Sequence, residues 1–163
     1  MLFLDCEFTD FQRPDLISIG LVDASGERCF YGVVEDFDQT ACSDFVRETV
    51  LPKLHARFPA RENAAGGVFR RSAMGKLLLE WLTAQRPAAG SLTVAFDYFA
   101  DADLFAELLP GGVPSWIRPE DVGPYLVWVE QERDEHPLRH HALFDALRLR
   151  AQFEQAEIKT WGN

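Results

Sequence analysis

Five residues carry the chemistry that this sequence offers: Asp5 and Glu7 in the run DCEF, Asp101 in VAFDYFAD, and His140 and Asp145 in RHHALFDA. Carboxylates are hard oxygen ligands suited to Mg²⁺ or Mn²⁺, and an imidazole titrating near neutrality can take a proton from water. Together they supply the parts needed for hydrolysis of a phosphate ester between two divalent cations. A zinc site does not compete, because Cys6, Cys29 and Cys42 are scattered and odd in number. They read as reduced thiols.

Positioning begins with Leu2 to Phe8, a short buried strand. Side chains alternate along a strand, so Phe3, Asp5 and Glu7 share one face while Leu2, Leu4 and Cys6 share the other. Anions about 6.6 Å apart on one face repel by roughly 2–3 kcal/mol at an effective dielectric near 20. For an isolated Asp-x-Glu, water or arginine partners would answer that repulsion. With acids from two further regions, divalent cations answer it better. Asp101 and Asp145 each have a plainer reading, since an acid in the first turn of a helix is mildly stabilising. His140 and Asp145 lie about 140° apart on an ideal helix, so both face one cleft only if His140 lies at or before the first turn. The helix is therefore expected to begin at His141, with His136 and His141 themselves at the surface.

Leu16 to Val22 reads as a second strand, and Cys29 to Val34 as a third, joined to it by the Asp23–Glu27 turn as an antiparallel hairpin. Ser43 is placed to cap a helix through Leu51, and Ser72 to cap another through Gln85 with Leu77, Leu78, Trp81 and Leu82 as its buried stripe. Leu92 to Phe96 is a fourth strand, Asp101 to Leu109 a helix ended by Pro110-Gly111-Gly112, and His141 to about Lys159 a terminal helix. Tyr125 to Glu132 is ambiguous between helix and strand. Strands first, then helices alternating with strands, predict an α/β sandwich about a mixed sheet.

With 163 residues, the chain fits one domain spanning 1–163. No apolar run is long enough for a bilayer, and Asp5 interrupts the opening apolar residues too early for a secretory leader, so a cytoplasmic protein without a membrane partner is expected. Lys plus Arg total 16 against 26 Asp plus Glu, a net charge of -10, which argues against coating nucleic acid by general attraction. Any contact with phosphates must be local. Residues 51–90 carry a local excess of positive charge, within which Arg70 and Arg71 are the candidates for phosphate contact. Phe8 and Thr9, directly beyond Asp-x-Glu, are placed to stack on or touch a terminal nucleotide, with a core role for Phe8 as the alternative.

In their order and spacing, DCEFTD, VAFDYFAD and HHALFDA resemble the three motifs of the DEDDh class of 3′-to-5′ exonucleases. The resemblance spans nearly the whole chain and implies a ribonuclease H-like (DnaQ-like exonuclease) fold, with a mixed five-stranded sheet flanked by helices. LISIGLV and VRETVLPKL look like the short bacterial exoribonucleases typified by ribonuclease AS, an adenylate-favouring RNA-trimming enzyme. The second motif places Asp101 rather than Asp97 in the catalytic role, because Leu104 and Phe105 follow it at the family spacing; Asp103 is a distant third.

By this resemblance, Asp5, Glu7 and Asp145 would hold one of two Mg²⁺ or Mn²⁺ ions, the one that generates the attacking hydroxide. Asp5 with Asp101 would hold the second, at the leaving 3′-oxygen, and His140 would be the general base. The product would be nucleoside 5′-monophosphates from single-stranded RNA 3′ ends. The resemblance also implies a homodimer, to whose interface Trp116, Trp128 or Trp161 could contribute. A DNA 3′-to-5′ exonuclease of proofreading type would carry the same five residues. A catalytically silent nucleic-acid-binding module, or a phosphodiesterase of short dinucleotides, is the remaining alternative.

Overall fold

A computed structural model describes residues 1–126 and 136–161, with side chains through Ala156. The expected meander is present: β1 (Leu2–Phe8) pairs antiparallel with β2 (Leu16–Asp23), which pairs antiparallel with β3 (Cys29–Val34). These strands are buried on both faces, as their continuous apolar runs require. The β2–β3 turn closes on Asp23, whose carboxylate accepts from the Ser25 hydroxyl at 2.9 Å and from the Glu27 and Arg28 amides at 3.0 and 3.1 Å. Burial pushes the Asp23 carboxyl upward, but hydrogen bonds from Arg28, Ser25, Glu27 and Gly26 outweigh it and hold the group below the usual carboxylate range. Asp23→Ala is expected to cost about 1–2 kcal/mol at neutral pH. Because the folded-state pKa is depressed, that stabilisation is complete above about pH 4 and is lost as pH falls through the lowered value. Melting curves of the two proteins should converge in acid; a constant gap would refute the account.

The sheet has six strands rather than five, in the order β4-β3-β2-β1-β5-β6. After α1 (Pro59–Asn63), β4 (Ala65–Phe69) pairs parallel with β3; β5 (Leu92–Phe96) pairs parallel with β1, and β6 (Ile117–Asp121) parallel with β5. The two edge strands were not assigned from sequence. AGGVF and IRPED have weak strand character, with two glycines in one and Pro119 in the other, and their pairing is imposed by the neighbouring strand. Proline is tolerated at such an edge because one side of the ladder is unpaired.

Helices α2 (Arg71–Thr83) and α3 (Phe99–Leu108) join the core that contains Leu2, Leu4 and Cys6. Within the α2 stripe Leu78 and Leu82 are fully buried, whereas Leu77 and Trp81 are half-buried. Ser72 does not cap α2. The helix starts one residue earlier, and the Arg71 amide is taken by Asp36 Oδ1 at 2.8 Å, a cap supplied from a separate loop. Ser43 does accept from the Val46 amide at 3.2 Å, but the segment it opens widens into a π-type turn over Val46–Val50 and then tightens over Leu51–Lys53, where Pro52 removes a donor.

After α4 (Gly123–Leu126), α5 (Ala142–Trp161) covers the opposite face, in the core that contains Phe3, Ile17 and Val22. Tyr125 and Leu126 of the ambiguous segment are helical; 127–132, including Trp128, lie outside the described residues, as does the Trp161 side chain. Trp116 is half-buried under the Arg86 guanidinium, 5.4 Å from its ring. The three cysteines are free and buried. Among the described residues no helix is long and apolar enough to cross a membrane.

Candidate metal and phosphoryl-transfer site

β1 and β5 run parallel side by side in the interior of the sheet, so the acids of β1 and the residues just past the end of β5 meet at the carboxyl ends of these strands. Asp5 and Glu7 face the α5 side, as alternation predicts, and a register shift between Glu7 and Phe8 ends the regular pairing there. Asp97 follows β5 directly, and Asp101 lies in the first turn of α3. α5 completes the site from above. It starts at Ala142 rather than His141, and the first helical bond runs from the Asp145 amide to the His141 carbonyl at 3.0 Å.

His140 therefore lies before the first turn, as its cleft-facing role requires. Its backbone takes the left-handed region at φ 63°, uncommon for a residue with a side chain. Two contacts fix that turn. The His140 amide donates to Asp145 Oδ2 at 2.9 Å, and Lys53 Nζ donates to the Arg139 carbonyl at 2.6 Å.

What seats α5 so close is Gly20, the partner of Asp5 across β1 and β2. A Cβ at Gly20 would lie 2.5 Å from the Ala142 carbonyl carbon and the Leu143 Cα, both backbone atoms that cannot swing aside. Gly20→Ala is expected to cost about 3 kcal/mol, at the upper end for overpacking, and to lower the melting temperature by roughly 6–12 °C. It should also displace Asp145 from Asp5. A variant melting within a degree of wild type would show that the helix is not seated by this contact.

The resulting cavity, about 880 Å³, is lined by Asp5, Glu7, Asp97, Asp101, His140 and Asp145 among others. All five residues singled out from sequence meet here. With Asp97 as a sixth, their ligand atoms form two groups, Asp5 with Asp97 and Asp101, and Glu7 with His140 and Asp145, the atoms of each lying within 4.8 Å of one another. Asp97 and Asp101 thus do not exclude each other: both stand beside Asp5. Asp101 also accepts from the Cys6 amide at 3.1 Å, so the residue between the two acids contributes its backbone while its side chain lies in the opposite core.

Glu7, Asp101 and Asp145 are at most 8% exposed. Burial first, then Asp101, Glu7, Asp145 and Asp97, push the Asp5 carboxyl well above its usual range. Burial followed by Asp145 and Asp101 pushes Glu7 up to about 8, against the opposing pull of Arg139 and Lys53. Asp101 also reaches about 8, through burial and then Asp97, despite the Cys6 hydrogen bond. Asp97 moves upward too, chiefly by desolvation. Burial and then Arg139 push His140 downward, with Asp145 opposing. Several desolvated acids each raise the others, and hard divalent cations are the partners that such an oxygen-rich set fits.

Other expectations fare differently. Phe8 is half-buried, lines the cavity and stacks on Tyr98 at 6.3 Å, with exposed Phe11 edge-on to both rings. Thr9 is fully buried instead: its hydroxyl accepts from the Asp15 amide at 3.1 Å and donates to the Arg13 carbonyl at 3.5 Å, closing the loop beyond β1. Its side chain is unable to reach a nucleotide. Arg71 pairs with Asp15, and Arg70 with Glu35 at 3.9 Å; neither lines the cavity. Among the described residues the cleft cations are Arg139 and Arg148, which sequence reasoning passed over although Arg139 directly precedes His140. His136 is exposed, as expected. His141 is not: it is fully buried, stacked on Tyr31 at 4.3 Å with Phe58 edge-on at 5.0 Å, and burial pushes it down to about 4.

Two adjoining groups of side chains that could each hold a metal ion are what this arrangement offers. No protein-family profile matches the sequence, and no curated protein matches it.

Proposed function

We propose that the protein is a metal-dependent 3′-to-5′ exoribonuclease with a ribonuclease H-like fold, releasing nucleoside 5′-monophosphates from single-stranded RNA and favouring adenylate. The observation that carries this reading is the convergence of five carboxylates and His140, from residues 5–7, 97–101 and 140–145, into two adjoining ligand groups in one cleft. The 3′-to-5′ polarity rests on the resemblance of the three motifs to DEDDh exonucleases, and the choice of RNA on the likeness of LISIGLV and VRETVLPKL to the short bacterial exoribonucleases.

Asp5, Asp97 and Asp101 would hold one Mg²⁺ or Mn²⁺, and Glu7 and Asp145 the other. Such ions, when bound, supply Lewis acidity toward the phosphoryl and leaving oxygens and lower the pKa of water. The protein's own residues do the rest. His140, kept beside Glu7 and Asp145 by its anchored backbone, takes the proton from the attacking water through a ring nitrogen. Phe8 and Phe11 with Tyr98 offer flat rings at the cleft, where a base next to the scissile phosphate can stack. The reading extends to a homodimer, which sedimentation of the purified protein tests.

The deciding experiment is a digest of 5′-labelled homopolymer RNAs and matched DNAs with Mg²⁺, Mn²⁺ or chelator. Stepwise shortening from the 3′ end, dependent on the cation and fastest on oligoadenylate, is the expected result. Faster trimming of DNA would move the assignment to a proofreading-type enzyme, and intact substrates in every arm would end it.

A further inference from the structure

Arg139 stands beside the carboxylates of the second ligand group. Its Nη1 lies 2.6 Å from Asp145 Oδ1, with Arg148 Nη1 at 3.8 Å from the same oxygen. Asp145 Oδ2 is already engaged by the His140 amide. Asp145 Oδ1 is buried and accepts no hydrogen bond among the described residues, and a divalent cation that takes it meets the Arg139 guanidinium. Two positive groups at one oxygen repel, so one leaves.

The backbone around Arg139 is held on both sides, by Lys53 at the Arg139 carbonyl and by Asp145 at the His140 amide. The side chain is 30% exposed and already lines the cavity. Its positive charge also acts on Glu7, Asp97 and His140. The five carboxylates of the two ligand groups exceed the charge of two divalent cations, so an incoming phosphodiester still meets a net negative wall. Among the described residues, Arg139 and Arg148 are the arginines that line that wall. A guanidinium displaced from a carboxylate finds in a phosphate the acceptor best matched to its planar fork.

The geometry points to Arg139 as an exchanging specificity residue: it occupies Asp145 while the cation seat is vacant, yields Oδ1 to the cation, and then binds the substrate's backbone phosphate. This inference rests on the function proposed above and adds to it an ordered response, with cation first and RNA second. It also assigns a ligand role to a side chain outside the five motif residues.

Two titrations on wild type, Arg139→Ala and Arg139→Lys test it, with melting temperatures recorded for each. Calorimetric titration with Mn²⁺ alone reads the first contact. Fluorescence anisotropy with a phosphorothioate-linked oligoadenylate in Mn²⁺, which slows hydrolysis, reads the second. Arg139→Ala is expected to bind Mn²⁺ about tenfold more tightly, its competitor gone, and the oligonucleotide about tenfold or more weakly. Arg139→Lys should fall between in both. Movements of opposite sign are the signature, since a residue that only braces Asp145 would weaken both together. Joint weakening, or no change in either, overturns the inference while leaving the nuclease reading intact. Wild-type protein that binds Mn²⁺ but no oligonucleotide, or neither ligand, overturns both.

Discussion

Asp5→Asn is expected to abolish cation-dependent hydrolysis while making the cation-free protein more stable. Asp5 sits on the central strand, and its carboxylate is the one beside Asp97 and Asp101 while also feeling Glu7 and Asp145. An amide keeps the shape, removes one anion and donates a hydrogen bond to neighbours that are all acceptors. Relief of like-charge crowding at a buried site should contribute about 1–2 kcal/mol, or roughly 2–8 °C in melting temperature. The same change removes a hard anionic ligand, and activity should fall on the order of a thousandfold, as when a group that stabilises transition-state charge is deleted. Wild type should gain about 2.7 kcal/mol from a cation at a hundred times its dissociation constant, and the variant much less. A variant that melts lower than wild type without cation, or keeps its activity, would falsify the claim that these acids are held together for a cation.

His140→Ala gives the second large effect, and a different pattern. The ring stands within reach of Glu7 and Asp145, edge-on to Phe45 at 5.0 Å, but the backbone contacts that shape the turn come from its amide and from Lys53. Alanine leaves those contacts available. Turnover should drop about 10²- to 10⁴-fold, the usual contribution of a positioned base, with KM for RNA nearly unchanged. Mn²⁺ binding measured by calorimetry should persist within a few-fold. Loss of cation binding in step with turnover would instead make His140 a ligand, and undiminished turnover would place the base elsewhere.

The parts of the molecule that could be read from sequence are those whose signal is local. LFLDCEF and LISIGLV declare strands because burial on both faces demands unbroken apolar runs, and strand alternation places Asp5 and Glu7 together without reference to anything else. The geometry of one helix was enough to require His140 outside the first turn. What escaped depends on partners distant in the chain. β4 and β6 are strands only because β3 and β5 pair with them, and Asp36 caps α2 from 35 residues away. His141 carries the composition of a surface residue and the position of a core one, because Tyr31 and Phe58 close around it. Arg70 and Arg71 drew notice through local charge density, yet Glu35 and Asp15 hold them, while Arg139 sits in the cleft.

The spacing of the cluster along the chain has a consequence during synthesis. Asp5 and Glu7 leave the ribosome long before His140 and Asp145, which follow about 135 residues later. At 5–20 residues per second this interval lasts roughly 7–27 s. Throughout it the strand that bears Asp5 and Glu7 lacks its covering helix, and the ligand group of Glu7, His140 and Asp145 stays incomplete.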